Sequence, residues 1–175
     1  MRFLSGIRLL ILGLWLGGAA FFIAAAQNAF ALISQRDVAG SVVGANLSLL
    51  NYAGIGIGVL LLLMSVIGVN YVSKFSVWFE RFLLLLLVAA CAVGQFVIGF
   101  WMSAIKTQLG RPIDDVAADD PLRVQFNTLH QYSAWVLLTG IGAALIAFFI
   151  ISNRKFEISK SDKSDIYDFS KEFKV

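Results

Sequence analysis

His130 is the single histidine of the 175-residue chain, and it is the side chain best suited to chemistry. Arg123, Asn127 and His130 follow one another at steps of four and three, so on a helix they share one face, with Ser133 or Ala134 one turn further. An imidazole there could exchange a proton or fill one position on a metal. The plainer reading is an interfacial histidine hydrogen-bonded to a neighbouring helix, because a metal site needs several ligands and no second histidine, nearby cysteine or intramembrane carboxylate accompanies it. A haem held between two histidines is excluded for the same reason. Cys91 is the only cysteine and lies in an apolar run, which rules out an intramolecular disulfide or a thiolate cluster. The pairs Asp114-Asp115 and Asp119-Asp120 lack the spacing of a calcium loop. No phosphate-cradling glycine loop, nucleophile elbow or zinc-protease helix motif occurs. The expectation is a protein with no catalytic residue, no metal and no cofactor.

The elements that carry these residues follow from composition. Hydrophobic residues make up 59% of the chain and charged ones 14%, against roughly 45–50% and about 25% in soluble domains, so a water-soluble globule is excluded. Four apolar stretches, at about 8–29, 43–69, 82–102 and 132–152, are each long enough to cross a hydrocarbon core of about 30 Å. Continuous hydrophobicity without alternation requires helices rather than barrel strands. The expected fold is all-α: a polytopic membrane protein whose four transmembrane helices form a bundle over residues 1–152, with a long polar outer loop between the third and fourth. A charged, flexible tail follows at 153–175. The first stretch has features of a signal peptide, with Arg2 and Arg8 ahead of it and Ala24-Ala25-Ala26 at its end. Its apolar run from Leu9 to Ala26 exceeds the roughly 7–15 residues of such a segment, which favours a retained span. A polar turn through Ser73, Lys74, Glu80 and Arg81 separates the second and third spans, and Asp120-Pro121 reads as a capped helix start. From there the fourth helix is expected to run unbroken to Ser152.

Ten of the fourteen Lys and Arg residues fall on the side of the termini and the second connection, and only Arg36, Lys106, Arg111 and Arg123 on the other. The positive-inside rule then puts both termini in the cytoplasm of a cell-membrane protein. Within that frame the inner half of the bundle offers little beyond Ser65 and Ser76, and no span carries a buried charge. The outer half receives polar groups from all four helices: Gln27 and Asn28, then Asn46, Ser48 and Asn51, then Gln95, and finally His130, Gln131 and Ser133. Together Gln27, Asn51, Gln95, Arg123, Asn127, His130 and Ser133 outline a polar pocket open to the outside. For those at helix ends, interfacial water is the alternative partner. For the deeper Gln95 and Asn51 it is an amide hydrogen bond to another helix. Gly54 with Gly58, and Ala90 with Gly94, stand four apart, the spacing that lets helices approach closely.

Three segments carry a family resemblance: Leu14-Trp15-Leu16-Gly17-Gly18-Ala19-Ala20-Phe21, Leu50-Asn51-Tyr52-Ala53-Gly54, and Arg123 to Ser133 with its Phe126, His130 and Ser133. They resemble the transmembrane protein 205 family, also described as domain of unknown function 4149, over about residues 9–150. The resemblance implies a four-helix integral membrane protein without an assigned reaction. It links Trp15, Gly17, Gly18, Phe126, His130 and Ser133, adding Gly17 and Gly18 to Gly54, Gly58 and Gly94 as packing positions. Relatives often carry a proline where this chain has Gln27-Asn28. A looser similarity to copper-resistance membrane proteins transfers no copper chemistry, because the ligands are lacking.

The function expected from these residues is non-enzymatic: interaction or small-ligand binding through the outer pocket. The competing classes are a transporter or channel subunit for a small solute or metal ion, and a membrane redox enzyme using His130. The partners expected are the lipid bilayer and a second copy or another membrane protein, with no nucleic acid.

Overall fold

Apolar sequence surrounded by lipid has to satisfy every backbone amide within its own segment, and this chain does so with four helices. The computed structural model describes residues 2–66 and 74–153. Helix α1 spans Arg2–Leu32, α2 Arg36–Met64, α3 Lys74–Leu109 and α4 Pro121–Ser152, with no strand among the described residues. All four are long and apolar enough to cross a membrane, and the protein is a multi-pass, all-α bundle. The tail from residue 154 and the segment 67–73, including Ser73 and the expected end of the second span at Val69, lie outside the described residues.

Local chemistry sets the helix ends. α4 starts at Pro121, with the Asp120 carboxylate accepting a hydrogen bond from the Leu122 amide at 2.8 Å, and it continues unbroken to Ser152. α3 stops at Gly110, whose φ of 60° suits a residue without a Cβ and whose amide donates to the Lys106 carbonyl. α2 ends at Met64, and its last turn is capped from another helix. Arg81 Nε donates to Ser65 Oγ at 2.9 Å, and its Nη2 donates to the Ser65 carbonyl at 3.0 Å. A guanidinium is well placed there, because the final carbonyls of a helix lack partners and carry its negative dipole end.

The helices pack in a ring, α1 against α2, α2 against α3, α3 against α4, and α4 back against α1. Their common core gathers Leu12, Trp15 and Ala19 with Leu50 and Leu61, Leu84, Leu87 and Cys91, and Ala143, Ala144, Ala147 and Ile151. Trp15 Nε1 donates to the Leu50 carbonyl at 3.1 Å, joining α1 to α2. At Gly54 an added Cβ would stand 2.5 Å from Cys91 Sγ and 3.0 Å from Trp15 Nε1, and at Gly58 2.5 Å from Val88 Cγ2. Gly94 is looser, with its Cβ position 3.3 Å from the Asn51 amide nitrogen. Gly17 and Gly18 depart from the packing role expected of them. Both are exposed; a Cβ at Gly17 would meet nothing within 4 Å, and one at Gly18 would meet only Leu50 Cδ1 at 4.0 Å. The buried face of α1 is instead the one carrying Arg8, Leu12, Trp15 and Ala19.

The expectation of an inner half without buried charge is also corrected. Lys74 to Arg81 is not a connecting turn but the first part of α3. Glu80 is fully buried and forms an ion pair with Arg8, itself 2% exposed. α1 and α3 occupy opposite corners of the ring, so the pair crosses the interior. Hydropathy marks Glu80-Arg81 as a boundary because it scores each charge as if solvated. The packing pattern passes through it, since Val77, Glu80, Leu84, Leu87 and Cys91 are buried at alternating steps of three and four on one face of α3.

Candidate functional site

The two halves of the bundle are packed differently. On α1 nothing beyond Ala19 is buried, and on α4 nothing before Gly140. The halves nearer the chain termini close on the core, whereas the halves nearer the 110–120 loop part around a cavity of about 840 Å³, within the roughly 300–1,000 Å³ of small-molecule sites.

Every helix supplies a wall. α4 contributes Arg123, Phe126, Asn127, His130, Ser133, Ala134 and Leu137, one face followed over 15 residues, or about 21 Å of axis. α2 contributes a parallel series from Arg36 and Asp37, through Gly40, Gly44 and Ser48, to Asn51. α3 descends from Lys106 through Met102 and Ile98 to Gln95 and Gly94, and α1 adds Phe30, Gln27, Ala26 and Phe22. Side chains on α3 reach this wall across a π-helical turn at Val93–Ile98, closed by the Gly99 amide donating to the Gly94 carbonyl. Such turns are wider than α-helix and often occur at functional sites.

All seven polar residues singled out from the sequence, Gln27, Asn51, Gln95, Arg123, Asn127, His130 and Ser133, line this one cavity. Asn28, Asn46 and Gln131 lie outside it, and Asn46 donates instead to the Val42 carbonyl of its own helix at 3.1 Å. Gln95 Nε2 donates to the Tyr52 hydroxyl at 3.4 Å, a long contact between α3 and α2. Asn51 is 4% exposed, and its side chain makes no hydrogen bond with the described residues. His130 is exposed to the cavity, and no carboxylate or hydroxyl among the described residues is bonded to it.

The mouth is shaped by charges that the sequence did not assign to the pocket. Arg36, Asp37, Lys106 and Asp114 all line it. Part of the expected solvated loop folds back over it. Ile113–Asp115 forms a 3-10 turn, Ile113 and Asp114 face the cavity, and Val116 is buried. Two contacts hold this segment down. Arg123 Nη1 donates to the Val116 carbonyl, and Arg36 faces Asp114 at 3.9 Å. Lys106 Nζ stands 5.6 Å from the centre of the Phe126 ring, within cation–π range. A smaller cleft of about 310 Å³ shares Asp37, Ser41, Lys106 and Ile113 with the cavity and adds Arg111.

The arrangement can desolvate an elongated molecule, present cations at one end, and offer amide, imidazole and hydroxyl groups along its length. Among the described residues no group of three or more His, Cys, Asp and Glu side chains is placed to hold a metal ion. Neither a protein-family model, nor a curated protein, nor a solved structure matches the chain.

Proposed function

We propose that this is a non-enzymatic membrane protein of the transmembrane protein 205 type that binds a small ligand in the outer half of its bundle. The observation that carries the reading is the 840 Å³ cavity walled by all four helices. The segment Arg123 to Ser133, which bears the strongest family resemblance, forms much of one wall. The inner half is filled by Trp15, Leu50, Leu87 and Cys91, which favours a blind binding site over a conducting path. Both termini lie in the cytoplasm and the cavity opens outward. The supporting bias is nine basic residues against four once Arg8 is set aside as paired with Glu80.

Native mass spectrometry of gently purified protein, compared with a Gly44→Phe variant, tests the reading. Gly44 lines the cavity, and a Cβ there meets nothing within 4 Å, so a benzyl side chain starts without a clash and occupies part of the cavity. The expected result is a discrete small-molecule adduct on the unaltered protein that the variant lacks at equal thermal stability. Identical adduct patterns in the two proteins overturn the reading.

A further inference from the structure

The two ends of the cavity differ chemically. At the mouth Arg36, Lys106 and Arg123 stand against Asp37 and Asp114. Arg36 is engaged with Asp114, and Asp37 lies in the first turn of α2, where the helix dipole favours a negative charge. Lys106 and Arg123 are in ion-pair contact with no carboxylate among the described residues. Lys106 lies over the Phe126 ring, and Phe126 and Arg123 are one turn apart on the cavity face of α4. At the floor Asn51 is 4% exposed and without a hydrogen-bond partner. Its amide atoms are not among the enclosed, unbonded side-chain atoms of the described residues; they face the cavity and are available to a polar atom of an occupant. Phe22, Leu47, Ile98 and Leu137 supply apolar surface between the two ends. Along α3 the wall from Lys106 to Gly94 spans 13 residues, or about 18 Å.

We infer that the occupant is an elongated amphipathic anion. Its carboxylate or phosphate sits between Lys106 and Arg123, its apolar chain lies along the middle of the cavity, and a neutral hydrogen-bonding group at its inner end meets Asn51. This assignment rests on the cavity being a ligand site, as proposed above.

Four twelve-carbon probes separate its parts: dodecanoate, dodecyl phosphate, 12-hydroxydodecanoate and 1,12-dodecanediol. Each is titrated into the full-length protein in non-ionic detergent and counted as adducts by native mass spectrometry. Gly44→Phe and Gly40→Leu serve as filled-cavity references, and a Cβ at either position meets nothing within 4 Å. 12-Hydroxydodecanoate is expected to bind about fivefold tighter than dodecanoate, the effect of one net hydrogen bond, and that advantage disappears in Asn51→Leu. Charge-assisted contacts are stronger, so 12-hydroxydodecanoate is expected to exceed the diol by tenfold or more, a preference lost in the Lys106→Gln/Arg123→Gln double variant. Dodecyl phosphate against dodecanoate distinguishes a phosphate head from a carboxylate. Equal binding of acid and diol overturns the anionic assignment. A hydroxyl advantage that survives Asn51→Leu overturns the assignment of the floor. Absence of all four adducts, beside a co-purified adduct that Gly44→Phe removes, overturns the ligand class and leaves the cavity reading standing.

Discussion

Replacing either partner of the Arg8–Glu80 pair is expected to be among the most damaging single changes outside the helix contacts at Gly54 and Gly58. Both side chains are enclosed, at 3% and 0% exposure. Removing either partner breaks a buried ion pair, at a cost of about 3–5 kcal/mol, and removing Glu80 leaves the enclosed Arg8 without its counter-ion. Removing both and restoring apolar volume, as in Arg8→Met/Glu80→Leu, eliminates the desolvation of both charges and should return stability to within about 1 kcal/mol of the starting protein. The interaction energy from the four-protein cycle is then at least about 5 kcal/mol, above the roughly 0.5–3 kcal/mol usual for residues in contact. Reversible unfolding in mixed detergent micelles, followed by tryptophan fluorescence, provides the assay. The helices stay in an apolar phase when separated, and Arg8 lies six residues into α1, about 9 Å from its start. Its charge can therefore reach the interface in the unfolded reference. The Glu80→Leu variant should consequently be the more strongly affected of the two single variants, since folding again encloses the arginine. Single variants that each cost under about 1 kcal/mol, with an additive double variant, would refute a closed pair crossing the bundle.

The glycines separate in the same assay. Gly54→Ala forces a Cβ to 2.5 Å from Cys91 Sγ and should destabilise by about 1–3 kcal/mol, with partial recovery when Cys91→Ala is added. Gly17→Ala meets open space and should be neutral or stabilising by up to about 1 kcal/mol, the helix propensity difference. For the orientation, a reporter fused after Val175 that is active only outside the cytoplasm should stay silent, and activity would reverse the assignment.

What the sequence reveals depends on whether a property is local. The Asp120-Pro121 start of α4 is readable because a capping carboxylate and an N1 proline act within one turn. The walls of the outer cavity are readable because polar residues within apolar spans are sparse, and those at one depth tend to meet. Glu80 is unreadable by the same logic. A charge next to another charge resembles a membrane boundary, and only the fold shows that Arg8, 72 residues away, is its partner. Gly17 and Gly54 look alike in sequence and differ in surroundings, since a close approach is a property of two helices. The mouth cations are visible as charges, but nothing local brings Lys106 over Phe126 or folds Val116 back onto Arg123.

The π-helical turn at Val93–Ile98 sets the angular phase of α3. In α-helix each residue advances about 100° around the axis, so one residue accommodated in a wider turn offsets all that follows by about that angle. Before the turn the inward face runs through Leu84, Leu87 and Cys91, and after it through Ile98, Met102 and Lys106, with Trp101 left outside. The outer part of α3 is thereby keyed to the inner part by a single residue. Shortening the segment by one would keep the span and its hydropathy, but would rotate Lys106 off the mouth and turn a different stripe of the helix toward the cavity.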